Sequence, residues 1–177
     1  NDDVNKSQSS NDIFPAAMQV AASIEITKSL IPKALALLET LNRKSEEFKS
    51  IIKCGRTHLQ DAVPITLGQE FSGYAEQVRL SIERIKNALP EIYELPVGGT
   101  AVGTGLNAPK GFDLEACELI SKYTNLPFMP ARNKFAYMAS HDSLVHLSGA
   151  LSALACALMK IANDIRWLAS GPRCGID

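Results

Sequence analysis

Apolar positions recur at helical intervals along most of the chain. From about Asn11 to Leu41, the residues Ala17, Val20, Ile24, Thr27, Ile31, Ala34, Leu38 and Leu41 follow one another in steps of three and four, the spacing of a single helix face. Pro15 falls in the first turn of this helix, where its missing N–H costs nothing, and Pro32 is expected to kink it midway. A shorter helix is expected at about Ser45 to Ile52. Another opens at Thr66, where Thr66-Leu67-Gly68-Gln69 fits a capping box. Its stripe runs Leu67, Phe71, Tyr74, Val78, Ile82, Ile85 and Leu89, and Pro90 closes it.

The strongest pattern runs from His141 to Ser170. Leu144, Leu147, Leu151, Leu154, Leu158, Ile161, Ile165 and Leu168 keep heptad spacing without exception, over a helix of about 40 Å. Ala150, Ala153, Ala155, Cys156 and Ala157 make its other faces apolar as well. Such a helix must be enclosed on several sides, and in so short a chain the neighbours include other subunits. The polar breaks at Ser148, Ser152, Lys160, Asn163, Asp164 and Arg166 argue against a membrane span. Three connections, Asn1 to Asp12, Gly55 to Pro64 and Gly98 to Gly111, are polar or glycine-rich and carry no strand pattern of useful length. The expected fold is all-α, a bundle of long helices forming the core of an oligomer.

Composition narrows the function classes. At 177 residues, 46% hydrophobic and 21% charged, the chain suits one folded domain and not a disordered segment. Its net charge of -1, from 18 basic and 19 acidic residues, supplies no excess to drive binding to nucleic acid or a membrane surface. Cys54, Cys117, Cys156 and Cys174 show no CxxC pair, which points to reduced thiols in a cytosol-like compartment. No metal is expected. His141 and His146 are five apart and would point roughly 140° away from each other on a helix. Neither end reads as a natural terminus, so the chain is taken as a piece of a longer protein.

Three segments carry candidate chemistry. In Ser7-Gln8-Ser9-Ser10-Asn11-Asp12, small polar side chains can cap a helix, and the N–H groups of its first turn can hold an anion. In Gly55-Arg56-Thr57-His58-Leu59-Gln60-Asp61, an imidazole beside a cation, a hydroxyl and a carboxylate suits proton transfer near neutral pH. The four glycines of the Gly98 to Asn107 segment can bring the backbone close to a ligand and aim N–H groups at an anion, or simply form a tight turn. Gly103 to Ala108 formally matches a dinucleotide fingerprint, but no strand precedes it and Pro109 follows, so the nucleotide reading fails. Met18, Met129, Met138 and Met159 read as core filler, and Arg132-Asn133-Lys134 as a solvated loop.

Taken in order, Ser9-Ser10-Asn11-Asp12, Gly55 to Ala62 and Gly98 to Asn107 resemble the class II fumarate hydratases of the fumarase, aspartase and argininosuccinate lyase superfamily. Leu67-Gly68-Gln69-Glu70-Phe71 and Lys160-Ile161-Ala162-Asn163-Asp164-Ile165-Arg166 extend the likeness over essentially the whole chain. The resemblance implies the central helical domain of such an enzyme. The N-terminal domain, the C-terminal catalytic loop and the C-terminal domain would lie outside residues 1–177, and the fragment alone would be inactive.

The resemblance further implies reversible hydration of fumarate to L-malate without metal or organic cofactor. It implies a homotetramer whose active sites draw on several subunits. Ser9, Ser10, Asn11 and Thr57 would bind the dicarboxylate substrate, and His58 would serve proton transfer or hold the catalytic water. Asn1 and Asp2 would belong to a secondary dicarboxylate site. The implied compartment is the cytoplasm, or the mitochondrial matrix in a eukaryote. One departure stands out: after Asn133-Lys134-Phe135 the family usually has Glu, and here Ala136 takes its place. The rival readings are an aspartate ammonia-lyase of the same superfamily and a helical scaffold without catalysis.

Overall fold

The computed structural model describes residues 2–171 and residue 173. The chain forms two compact units, Asn1–Leu30 with Ile85–Gly149 and Ile31–Arg84 with Ala150–Asp177. Its elements run α1 (Ser10–Glu25), a π-helical turn (Ile26–Leu30), α2 (Ile31–Glu47), β1 (Ile52–Thr57), β2 (Gln60–Thr66), α3 (Leu67–Ile92), β3 (Glu94–Leu95), α4 (Phe112–Thr124), β4 (Met129–Pro130), α5 (Lys134–Ala139) and α6 (Asp142–Leu168). The fold is therefore mostly helical, as expected, with two small two-stranded sheets added.

The first long helix departs from the expected seam. Its buried residues are Asp12, Pro15, Ala16, Gln19, Ser23 and Ile26, followed by Ile31, Ala34 and Leu41, whereas Ala17 is exposed. Ile26 and Ile31 are five residues apart, a spacing that an α-helix would send to different faces. The intervening π-helical turn, with its wider i→i+5 bonding, shifts the phase of the buried positions between them. It lies immediately ahead of Pro32, whose ring and missing N–H disturb the helix at that point. Pro15 is the sixth residue of α1, not part of its first turn, so it forfeits the bond its N–H would have sent to the Asn11 carbonyl.

In the unit containing α1, a core cluster joins Ala16 to Leu95, Val97, Cys117 and Phe128, with Ile13, Val20 and Ile120 packed against it. The Tyr93 and Phe128 rings meet edge to face with centroids 5.4 Å apart, a favoured aromatic arrangement. β3 and β4 pair in parallel. Buried Gln19 ties α1 to β3 by donating to the Glu94 carbonyl at 2.9 Å. The Glu94 carboxylate in turn accepts from the Arg132 guanidinium at 2.6 and 2.9 Å and from the Arg132 N–H at 3.1 Å. Lys134 reaches Asp113 at 2.6 Å. Arg132 and Lys134 thus pair with carboxylates of their own unit; Arg132 and Asn133 remain exposed as the solvated loop expected from sequence, while Lys134 is largely covered at the start of α5.

Both carboxyls are held below their ordinary range, first by the hydrogen bond from the basic partner, against the opposing effect of burial. A carboxyl whose pKa is lower folded than unfolded contributes stability that is complete above the unfolded value. That contribution is lost as pH falls through the folded value. Acidification below about pH 4 is therefore expected to loosen the α4–α5 region. Amide exchange there should rise as the protein is taken from neutral pH to about pH 3, after correction for the intrinsic pH dependence of exchange. Unchanged corrected rates would contradict the role given to these pairs.

In the other unit, Thr66 caps α3 as expected: its hydroxyl accepts from the Gln69 N–H at 3.1 Å and the Gln69 side chain accepts from the Thr66 N–H at 2.9 Å. Tyr74, Val78 and Ile82 are buried as the stripe required. The helix runs on to Ile92, two residues past Pro90. No separate helix forms at Ser45 to Ile52, whose first three residues are the end of α2. α2 ends at Glu47, and β1 begins at Ile52, pairing antiparallel with β2. The hairpin escaped the sequence reading because both its faces are open. Ile52 is 77% and Val63 71% exposed, so no alternation of apolar and polar residues marks its strands.

α6 runs from Asp142 to Leu168, with His141 just outside it. Only 22% of its most apolar stretch is buried within the chain. Val145, Met159, Ile165 and Trp167 are exposed. By length and composition alone this helix could cross a membrane, a point on which the sequence reading was too restrictive.

Candidate functional site

The first and third polar segments meet. Ser9 is the N-cap of α1, and its hydroxyl accepts from the Asn11 N–H at 3.1 Å. Asp12 completes the capping box by accepting from the Ser9 N–H at 2.9 Å. Its other oxygen accepts from the backbone N–H groups of Gly98 and Thr100, at 3.1 and 3.0 Å. Asp12 is completely buried. The anion that the glycine-rich loop grips is therefore the protein's own carboxylate, and the loop serves to fix the start of α1.

Further bonds strengthen this junction. The Asn11 side-chain amide donates to the Ala101 carbonyl at 2.8 Å, and the Ser7 hydroxyl to the Asn107 carbonyl at 3.3 Å. The loop geometry depends on two glycines in particular. Gly98 has φ +82, and Gly103, at φ +99, leaves room for the Phe135 ring, which a Cβ would meet at 2.7 Å. Thr100 adopts φ 57 without being glycine, an unusual conformation for a β-branched residue. Its N–H bond to Asp12 holds it there. Ser9 and Ser10 line a shallow cleft of about 470 Å³ with Gln8 and Phe14. Asp2 is exposed in the turn ahead of α1, and Asn1 lies outside the described residues.

Thr57 and His58 belong to the other unit. They sit at the tip of the hairpin, where Thr57 pairs with Gln60 and His58-Leu59 form the two-residue turn. His58 and Leu59 have φ of 54 and 63, the left-handed values of a type I′ turn, normally filled by Asn-Gly. Such a conformation is unfavourable for L-residues with bulky side chains. Arg56 braces the turn, donating to the Leu59 carbonyl at 3.0 Å and lying 3.3 Å from the Asp61 carboxylate. The imidazole is exposed and lines a cleft of about 770 Å³ with Lys53, Arg56, Glu70, Lys160 and Asp164.

Sequence reasoning missed Asp12 as the organising carboxylate, although its place three residues after Ser9 is the signal of a capping box. It also left Lys53, Glu70, Lys160 and Asp164 out of the His58 surroundings. For Glu70, Lys160 and Asp164 the signal was charge inside apolar helix patterns, whereas Lys53 lies on β1, which carried no strand pattern. Ala136 lies at the third position of α5, where its N–H is capped by Asn133 at 3.1 Å. The usual Glu at that position could have reached back to the cap and completed a box, which Ala136 leaves half made.

A family model described as "Lyase" matches residues 1–177. The chain belongs to this lyase family. Within it, the chain is 58% identical over 176 residues to "Fumarate hydratase, mitochondrial" of Dictyostelium discoideum, covering 99% of this chain and 36% of that protein. It is 60% identical to the human protein of the same name, again over 99% of this chain, with 34% of that protein covered. The lyase fold is equally clear. A crystal structure of class II fumarase from Schistosoma mansoni superposes with a TM-score of 0.95 at 47% identity, over 97% of this chain and 39% of that one. A fumarate lyase:delta crystallin structure from Brucella melitensis, bound to cobalt, gives 0.91 at 40% identity, over 99% of this chain and 38% of that one. The chain thus spans about a third of the length of the curated lyases it matches.

Proposed function

We propose that the protein of which this chain is part catalyses the reversible hydration of fumarate to L-malate, a step of the tricarboxylic acid cycle. The observation that carries this reading is identity of 58–60% to proteins named fumarate hydratase over 99% of the chain. In this reading the chain is the central helical domain, with an N-terminal domain and a C-terminal catalytic loop and domain supplied by the rest of the protein. The fragment alone is inactive. No metal or organic cofactor takes part.

The geometry supports specific roles. The proton that leaves carbon is weakly acidic, so the reaction needs fixed hydrogen-bond donors around the adjacent carboxylate, where charge accumulates. Ser9, Ser10 and Asn11, held by the capped start of α1, supply hydroxyl and amide groups for substrate carboxylate or hydroxyl groups; Thr57, on the hairpin, is likewise a substrate-binding residue. His58 transfers the proton on the hydroxyl side or holds the water that adds there. Asp2, with Asn1, belongs to a secondary dicarboxylate site near the entrance.

The active protein is a homotetramer with sites shared between subunits. Two features support this. α6 leaves Val145, Met159 and Trp167 exposed, and the hairpin tip presents Thr57 and His58 on an open ribbon that isolated strands stabilise poorly. The heptad pattern of α6 and the family match favour helix packing over a membrane span. No nucleic acid or membrane is a partner. For a eukaryotic source, the names of relatives support the mitochondrial matrix, and otherwise the cytoplasm.

The test is conversion of malate to fumarate by the full-length parent, with aspartate assayed beside it. Turnover of malate alone supports the proposal. Release of ammonia from aspartate would move the protein to the ammonia lyases, and inactivity on both by a folded tetramer would leave a scaffold.

A further inference from the structure

The ribbon carrying His58 is tied to the body of its unit by charged side chains near its base. Lys53, on β1, places its ammonium 2.7 Å from one oxygen of Glu70, with about a fifth of each side chain exposed. The other Glu70 oxygen accepts from the Tyr74 hydroxyl at 2.8 Å. Tyr74 is 1% exposed, and burial, then Glu70 and Asp164, push its hydroxyl far above its ordinary range, so it stays a donor. On α6, Lys160 lies 4.8 Å over the Tyr74 ring and pairs with Asp164 at 2.5 Å. A line of partnered groups therefore runs from β1 through α3 to α6.

We propose that Glu70 is a positioning residue: by joining Lys53 of the hairpin to Tyr74 of α3, it sets the angle at which the His58 turn is presented. The proposal rests on the reading of His58 as the proton-transfer or water-holding group. A half-buried ion pair of this kind adds little net stability, because desolvation cancels much of its attraction. It does fix geometry, since both carboxylate oxygens are occupied from different elements. The backbone anchors at the ribbon base, Leu67 N–H to the Ile51 carbonyl at 2.8 Å and Gly68 N–H to the Phe48 carbonyl at 3.1 Å, act as a hinge that leaves the ribbon's tilt to be set by side chains. Placement errors near 1 Å at a reacting group can cost about 100-fold in rate.

The experiment uses the full-length tetrameric parent with Glu70→Gln, Lys53→Met, Lys53→Arg and Tyr74→Phe. The expected result is a fall in kcat for malate of about 10- to 100-fold in Glu70→Gln and Lys53→Met, with KM little changed and the thermal midpoint lowered, because each variant leaves one largely buried charge unpaired. Lys53→Arg, which keeps the charge and the donor, recovers most of the rate. Tyr74→Phe removes only a hydroxyl from a buried ring and shows a smaller fall in the same direction. Amide exchange across β1 and β2 is expected to quicken in Glu70→Gln and Lys53→Met and to stay near wild type in Lys53→Arg. Wild-type kcat with unchanged hairpin exchange in Glu70→Gln and Lys53→Met would overturn the proposal, as would a Lys53→Arg variant as impaired as Lys53→Met. If the wild-type parent turns over no malate, the fumarate reading fails separately, and the hairpin exchange alone then decides for or against the positioning role.

Discussion

Replacing His58 with Asn in the full-length parent is expected to lower kcat for malate by about 10²- to 10⁴-fold, the usual share of a general acid or base. Asn is the informative choice because of the backbone. His58 holds φ 54 at the first position of a two-residue turn, a conformation that Asn adopts more readily than His. The hairpin therefore survives the substitution, and the loss reports on the imidazole itself. Circular dichroism and the oligomeric state should match wild type. A variant retaining most of its rate would remove His58 from the chemistry and shift attention to Ser9, Ser10, Asn11 and Thr57 as positioning groups for an agent elsewhere in the protein.

The largest expected effect on folding comes from Asp12→Asn. The carboxylate accepts three backbone N–H bonds, from Ser9 on one oxygen and from Gly98 and Thr100 on the other. An amide offers only one oxygen, so its NH₂ must face donors on one side or the other. Leaving a buried donor unpaired costs about 1–3 kcal/mol, and the total expected here is about 2–4 kcal/mol. Denaturant unfolding of the full-length parent measures that loss. Amide exchange at Gly98 and Thr100 locates it, because the loop and the start of α1 should loosen together. KM for malate is expected to rise in the same variant, since Ser9, Ser10 and Asn11 depend on that start. Stability and exchange equal to wild type would show that the loop is held by other means, with the Asn11 and Ser7 bonds the next to remove.

What was legible without coordinates differed from segment to segment. The stripe of α3 came out correctly, because Tyr74, Val78 and Ile82 face a core within the chain and the apolar period reports that face. The seam of α1 was misplaced because its buried side takes Asp12, Gln19 and Ser23. Asp12 and Gln19 are tolerated there through bonds to distant backbone groups, and a reading based on hydrophobicity has no means of counting such bonds. Beyond the π-helical turn the phase shifts, and there the expected Ile31, Ala34 and Leu41 are buried. The hairpin was missed for a different reason. A ribbon exposed on both faces is not shaped by local burial, and His-Leu lacks the usual residues of a two-residue turn.

Sequence by itself determined the mostly helical class, the Thr66 cap, the long apolar α6 and the three polar segments, because each is written in neighbouring residues. The family resemblance rested on those same local motifs. Only the tertiary structure decided that the glycine-rich loop closes on Asp12, that His58 rides a strained turn on an open ribbon, and that Glu70 links that ribbon to Tyr74. Bonds such as Asp12 to Gly98 join residues far apart in the chain. Their partners are chosen by folding, through the burial of a charge that must find donors, and no local pattern records that choice.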